Sequence, residues 1–341
     1  MSHDSRARPV GPRLTEEGAL PARTLEQLLQ NSIALQAAPA DPSSSENVVA
    51  EMKPEDAEWL KNALNGIFRD PSKEMRKVIS AIEDFLRSSP VEEESIESVE
   101  QLTEHLRDFI VDLDLANDFA KAGGLELIKI LLDRDEARLR VLGCELTGEL
   151  AQNNEFGVHC VITHPSIFAK LISIAAHEKN EETEVRVKGV SAIAGTVRDS
   201  QEAQRLFYDH NGAELITELL GSGHEKGGKL QLKTVFLLQS MIEWDKTWHE
   251  KLFELGIIQT LANMYKNGKQ SEGNAFHEMI MNALVMFATV DMTRTVNVLK
   301  DNKVDFKDTL KTRDETINAY GDSSPYLEEL TGMKRLQKLL N

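Results

Sequence analysis

Gly124-Leu125-Glu126-Leu127-Ile128, Ser166-Ile167-Phe168-Ala169-Lys170-Leu171, Gly212-Ala213-Glu214-Leu215-Ile216 and Gly256-Ile257-Ile258-Gln259-Thr260-Leu261 open four segments of the chain in the same way. Their first residues are 42, 46 and 44 positions apart. Each reads as a short apolar helix. Each precedes a longer stretch with apolar residues at helical spacing: 138–153, 184–200, 229–244 and 276–290. Between successive units lie further short helical patterns at 115–122, 155–162, 201–208, 246–255 and 293–299.

Three helices recurring about every 45 residues is the armadillo period, and it is favoured here over the two-helix HEAT unit. One such unit cannot bury its apolar face alone. Neighbours must stack into a solenoid. The expected fold class is therefore all-α: an armadillo-like α-solenoid with a disordered N-terminal arm. Its long concave surface, rather than a catalytic pocket, is where function is sought.

The flanks divide the chain further. Residues 1–50 are rich in Pro, Ala and Ser and read as a mostly disordered arm. Thr24-Leu25-Glu26-Gln27 fits a capping box, and Leu25, Leu28, Leu29 and Ile33 then share one helical face, giving a short amphipathic helix over 24–35. Such a helix is marginal alone in water. It either docks on its own solenoid or orders on a partner. Residues 54–113 read as N-terminal capping helices. Pro71 starts one of them, with Val78, Ile82, Phe85 and Leu86 inward. Glu92–Glu94 read as the solvated first turn of the next. Repeats are expected over 114–300. A more polar region, 301–341, ends in an amphipathic helix at 326–340 that would close the array.

Composition narrows the function classes. A formal charge of −17 over 341 residues offers no basic footprint for nucleic acid. No stretch reaches the roughly 18–20 apolar residues of a membrane span. Met1–Gly18 lacks an apolar signal core, and only Cys144 and Cys160 are present, so a cytosolic or nuclear monomer is expected.

Catalytic patterns fail in turn. His277-Glu278 and His249-Glu250 have no second His at zinc-helix spacing. Gly221-Ser222-Gly223-His224-Glu225-Lys226-Gly227-Gly228 lacks the Gly-Lys-Ser/Thr ending of a phosphate loop. Cys144 reads as a buried free thiol. His159 and Cys160 are adjacent on a helix and point apart. No catalytic residue, cofactor or metal site is expected.

Aligning the long helices puts Leu142, Lys188, Lys233 and Met279 in register. Glu145, Ser191, Phe236 and Asn282 form a second set, and Glu149, Gly195, Ser240 and Met286 a third. The Trp and Asn ladders with which nuclear-import armadillo proteins clamp basic peptides are absent from these positions.

Several stretches instead resemble one family. They are Arg23–Gln30, Glu58–Ala63, Asp112–Phe119, Gly148–Asn153, Val185–Lys188, Phe236–Gln239 and Phe276–Glu278. They look like the armadillo-type nucleotide exchange factors of DnaK-class heat-shock chaperones, the heat-shock-protein-70-binding protein family. The resemblance implies a non-enzymatic cochaperone whose concave face grips the chaperone's ATPase domain and promotes ADP release. It also implies an N-terminal arm, carrying Leu25, Leu28, Leu29 and Ile33, that promotes client release. The partner-binding residues it suggests are Ala116, Asn117, Asp118, Asn153, Arg198, Phe236 and Gln239. Ala116 also reads as ordinary helix packing, Arg198 as a complement to a helix C-terminus, and Phe236 as core. The alternative function is a generic armadillo scaffold for an unrelated peptide or adaptor.

Overall fold

The computed structural model describes residues 70–341 apart from 88–90, 177–181, 222–227, 243–245, 269–273 and 302–303. The chain divides into two units, Met1–Asp70 and Pro71–Asn341, and the description below concerns the second. The helices expected over 24–35 and from Pro54, and the glycine-rich run after Gly221, lie outside the described residues.

The second unit is built from α-helices, with no strand among the described residues. Two helices, α1 (Pro71–Phe85) and α2 (Glu93–Ile110), precede the repeats. The first repeat is α3 (Leu113–Phe119), α4 (Leu125–Asp133) and α5 (Ala137–Ala151). The second is α6 (Glu155–Thr163), α7 (Ile167–Ala175) and α8 (Thr183–Val197). The third is α9 (Gln201–Asp209), α10 (Gly212–Gly221) and α11 (Lys229–Ile242). Then follow α12 (Lys246–Glu254), α13 (Ile257–Asn267) and α14 (Asn274–Val290), and finally α15 (Met292–Lys300), α16 (Phe306–Ala319) and α17 (Leu327–Leu340).

The corners follow from short-range chemistry. Where a long helix hands over to a linking helix, a polar side chain caps the new N-terminus and satisfies its free amides. Asp112 accepts from the amides of Asp114 and Leu115 at 3.0 and 3.1 Å. Asn154 accepts from Gly157, Ser200 from Ala203 and Asp291 from Arg294, at 3.0, 3.2 and 2.9 Å. The next corner, from linking to short helix, needs a left-handed residue in three units: Gly123 (φ 106°), Asn211 (φ 58°) and Gly256 (φ 75°). Glycine reaches these angles without steric cost, and Asn is the side chain that tolerates them best.

The long helices α2, α5, α8, α11, α14 and α17 pack in succession, each on the next, and form one face of the stack. α5 and α8 pair most extensively, across Gly148 and Gly195. A Cβ added at Gly195 would sit 3.3 Å from the Gly148 carbonyl oxygen, so a side chain there would push the two helices apart. One apolar core runs from Met75 to Leu340. Aromatic contacts carry it between units: Phe168 to Phe207 at 6.4 Å, then Phe207 to Trp248 at 5.6 Å.

Two details differ from expectation. Phe85, expected inward, is 39% exposed. It is the last residue of α1, where Leu86 turns into the core instead. The region after Asp301 contains a second helix, α16, which the polar composition concealed. It inserts only Phe306, Leu310 and Ile317 fully, a sparse stripe. α17 extends the row of long helices by packing on α14.

Candidate partner-binding surface

The face formed by the long helices begins with charge and ends with apolar and amide groups. On α2, Arg107 donates to Glu149 of α5 at 2.7 Å and to Glu104 of its own helix at 2.8 Å. Glu145, one turn before Glu149, lies 3.8 Å from Arg107 and also pairs with Lys188 of α8. The Glu149 hydrogen bond, with the surrounding carboxylates, holds the Arg107 guanidinium above its ordinary pKa. A chain of ion pairs thus links α2, α5 and α8 along their shared face. Each pair is partly solvated and contributes little alone, but the network fixes side-chain direction.

Beyond α8 the lining changes. Arg198 follows Val197 at the α8 C-terminus, and its guanidinium lies 4.8 Å from the centre of the Phe236 ring on α11. That is cation–π distance. Arg198 Nε is buried and finds no hydrogen-bond partner among the described residues. Phe236 is 38% exposed. Gln239, one turn on, donates its side-chain amide to the Met279 carbonyl of α14 at 3.1 Å. Met279, Asn282 and Met286 continue the face, half-buried.

The candidate residues therefore fall into two groups. Arg198 and Phe236 touch, and Gln239 lies one turn from Phe236. The others lie on α3, between α1 and α6, or at the α5–α6 corner beside it. Asn117 accepts from the Asn154 side chain at 3.1 Å, beside Asn153, whose φ of 53° makes the α5–α6 corner. Asp118 accepts from Ser72 of α1 at 2.7 Å. Ala116 is only 3% exposed and belongs to the core. The Arg107–Glu145–Glu149–Lys188 chain was not among the sequence candidates. Its members lie about one repeat apart, so the repeat register itself was the signal that could have found them.

Among the described residues no group of His, Cys, Asp and Glu could hold a metal ion. No single described helix is long and apolar enough to cross a membrane. Cys144 is buried and Cys160 half-buried, both as free thiols, and burial pushes the Cys160 pKa up. His277 and His249 are buried packing residues.

Comparison with known proteins adds the family. Residues 115–282 match the SIL1/FES1/HPBP1 C-terminal domain, and residues 25–119 match the nucleotide exchange factor Fes1 model. The chain is 24% identical over 323 residues to Hsp70-binding protein 1 of Homo sapiens, covering 93% of this chain and 85% of that one. It is 28% identical over 133 residues to the Hsp70 nucleotide exchange factor FES1 of Eremothecium gossypii, covering 39% of this chain and 45% of that one. Among solved structures, a designed armadillo repeat protein superposes with a TM-score of 0.57 at 15% identity, covering 78% of this chain and all of that one. The two family models overlap at 115–119 and together span well over half of the sequence, so this armadillo-like chain belongs to the SIL1/FES1/HPBP1 family.

Proposed function

We propose that the chain is a nucleotide exchange factor for an Hsp70-class chaperone: a non-enzymatic cochaperone that grips the chaperone's ATPase domain with the long-helix face, taken as the concave side of the solenoid. The observation that carries this reading is the pair of family models running without a break from residue 25 to residue 282, one of them named for nucleotide exchange. Relatives named for Hsp70 binding and Hsp70 nucleotide exchange support the same partner.

The mechanism needs no reacting group. A partner that binds the open, nucleotide-free ATPase domain more tightly than the closed, ADP-bound one weakens ADP by the same factor. Equal affinity for the two states would exchange nothing. Two features suit the long-helix face to this task. Its ion-pair chain stiffens the α2–α8 half, so binding energy can be transmitted to the partner rather than spent on reordering the solenoid. Arg198 is half-buried and held against Phe236, and its guanidinium fork suits a partner carboxylate. The two free thiols are compatible with the reducing cytosol or nucleus as its location, and the chain is taken to act as a monomer.

The direct test is capture from cytosol on the immobilised full chain. An Hsp70-class chaperone should be retained in stoichiometric amount through its ATPase domain and eluted by ATP. Retention of an unrelated protein with no chaperone would favour the generic scaffold.

A further inference from the structure

We propose that a cleft between the α5–α6 and α8–α9 corners receives a lysine or arginine side chain from the chaperone's ATPase domain, as a second anchor of opposite charge beside Arg198. This rests on the exchange-factor reading above.

The cleft has a volume of about 750 Å³ and reaches from Asn153 to Glu202. Its lining sorts by chemistry. Glu155, Asp199 and Glu202 are exposed carboxylates around it, and none of them has an ion-pair partner among the described residues. No lysine or arginine lines it. Buried Val158 and 39%-exposed Phe156 supply apolar surface. Phe156 already draws one ammonium from its own chain: Lys121 lies 5.3 Å from the ring centre. An apolar wall with separate carboxylates around it fits a side chain that has a hydrocarbon stem and a charged head. It does not fit a bare cation, since no grouping there brings ligands close enough for a metal.

Position adds to the argument. Asp199 directly follows Arg198, so acceptor and donor anchors adjoin at the end of α8. Adjacent anchors of opposite sign admit one orientation of a partner and penalise the reversed one by like-charge contact.

The test uses the full chain with Glu155→Gln, Asp199→Asn and Glu202→Gln combined. All three residues are exposed, but Glu155 and Glu202 stand in the first turns of α6 and α9, where a carboxylate complements the helix dipole, so the melting temperature should fall only slightly with the fold kept. Titration against the purified ATPase domain at low and high salt should show affinity about tenfold weaker at low salt, with a flatter salt dependence. Wild-type affinity and salt slope in the folded variant would overturn the cleft assignment and leave the exchange-factor reading standing. Failure of the wild-type chain to bind the ATPase domain at all would overturn both.

Discussion

Arg198 is the proposed anchor for the partner. Its guanidinium is held over Phe236 at 4.8 Å, and its buried Nε has no acceptor among the described residues. Arg198→Ala should weaken chaperone binding by about 2 kcal/mol or more, roughly thirtyfold, with little change in melting temperature. Phe236→Ala should weaken binding less, because the arginine remains but loses its orientation. Isothermal titration of both variants checks the order. Ala116 behaves differently. At 3% exposure it has no room for a larger residue, so Ala116→Arg should lower the melting temperature as well as binding. Thermal unfolding run beside the titration separates the two effects. The pairing of Arg198 with Phe236 was not legible in the sequence. The residues stand nearly one repeat apart, and only the stacking of α8 on α11 brings them together. Their presence near the long-helix face was legible, because the repeat register placed Phe236 there.

Helices were the most legible level, and the physical reason lies in their ends. Asp112, Asn154, Ser200 and Asp291 cap linking helices whose starts the sequence placed within about two residues. The kink at Ala120–Gly124, where Gly123 takes a φ of 106° and α3 breaks from α4, has no such signature beyond its two glycines. Of the last unit only α16 was hidden, and for a different reason: part of what holds it is polar and buried. Glu329 of α17 is 1% exposed and accepts from Tyr265 of α13 at 2.6 Å. It also accepts from Arg313 of α16 at 2.8 and 3.0 Å. Removing one partner of a buried pair leaves the other uncompensated, so Glu329→Ala should destabilise the final unit by about 3–5 kcal/mol. Hydrogen exchange should show early loss of protection across 292–341.

His277 of α14 faces the same cluster, with its ring 5.3 Å from Tyr265. Burial, and then the Arg313 charge against the opposing pull of Glu329, depresses its pKa from 6.5 to about 4. The folded state therefore favours the neutral imidazole. Its contribution to stability is complete above pH 6.5 and is lost progressively as pH falls through 6.5 towards 4. The melting temperature should drop across that interval. His277→Phe should flatten that part of the profile.

At the scale of the whole molecule the proposed functions separate. We propose that exchange belongs to the solenoid and client release to the preceding segment, where the sequence predicts a short amphipathic helix carrying Leu25, Leu28, Leu29 and Ile33. A short tethered apolar helix can compete for a chaperone's peptide site through effective concentration, without high affinity of its own. Deleting residues 1–40, or changing Leu28 and Leu29 to Ser, should leave ADP release nearly intact and slow dissociation of a labelled client peptide. Equal loss of both activities would tie the arm to the solenoid's fold. The central claim is nucleotide exchange itself, and its most direct measurement is the release of fluorescent ADP from a purified Hsp70-class chaperone mixed with increasing full chain. Differential binding predicts that release accelerates with concentration until it saturates, and that ADP lowers the chain's affinity for the chaperone by the factor by which the chain weakens ADP. A release rate independent of the chain at saturating binding would contradict it.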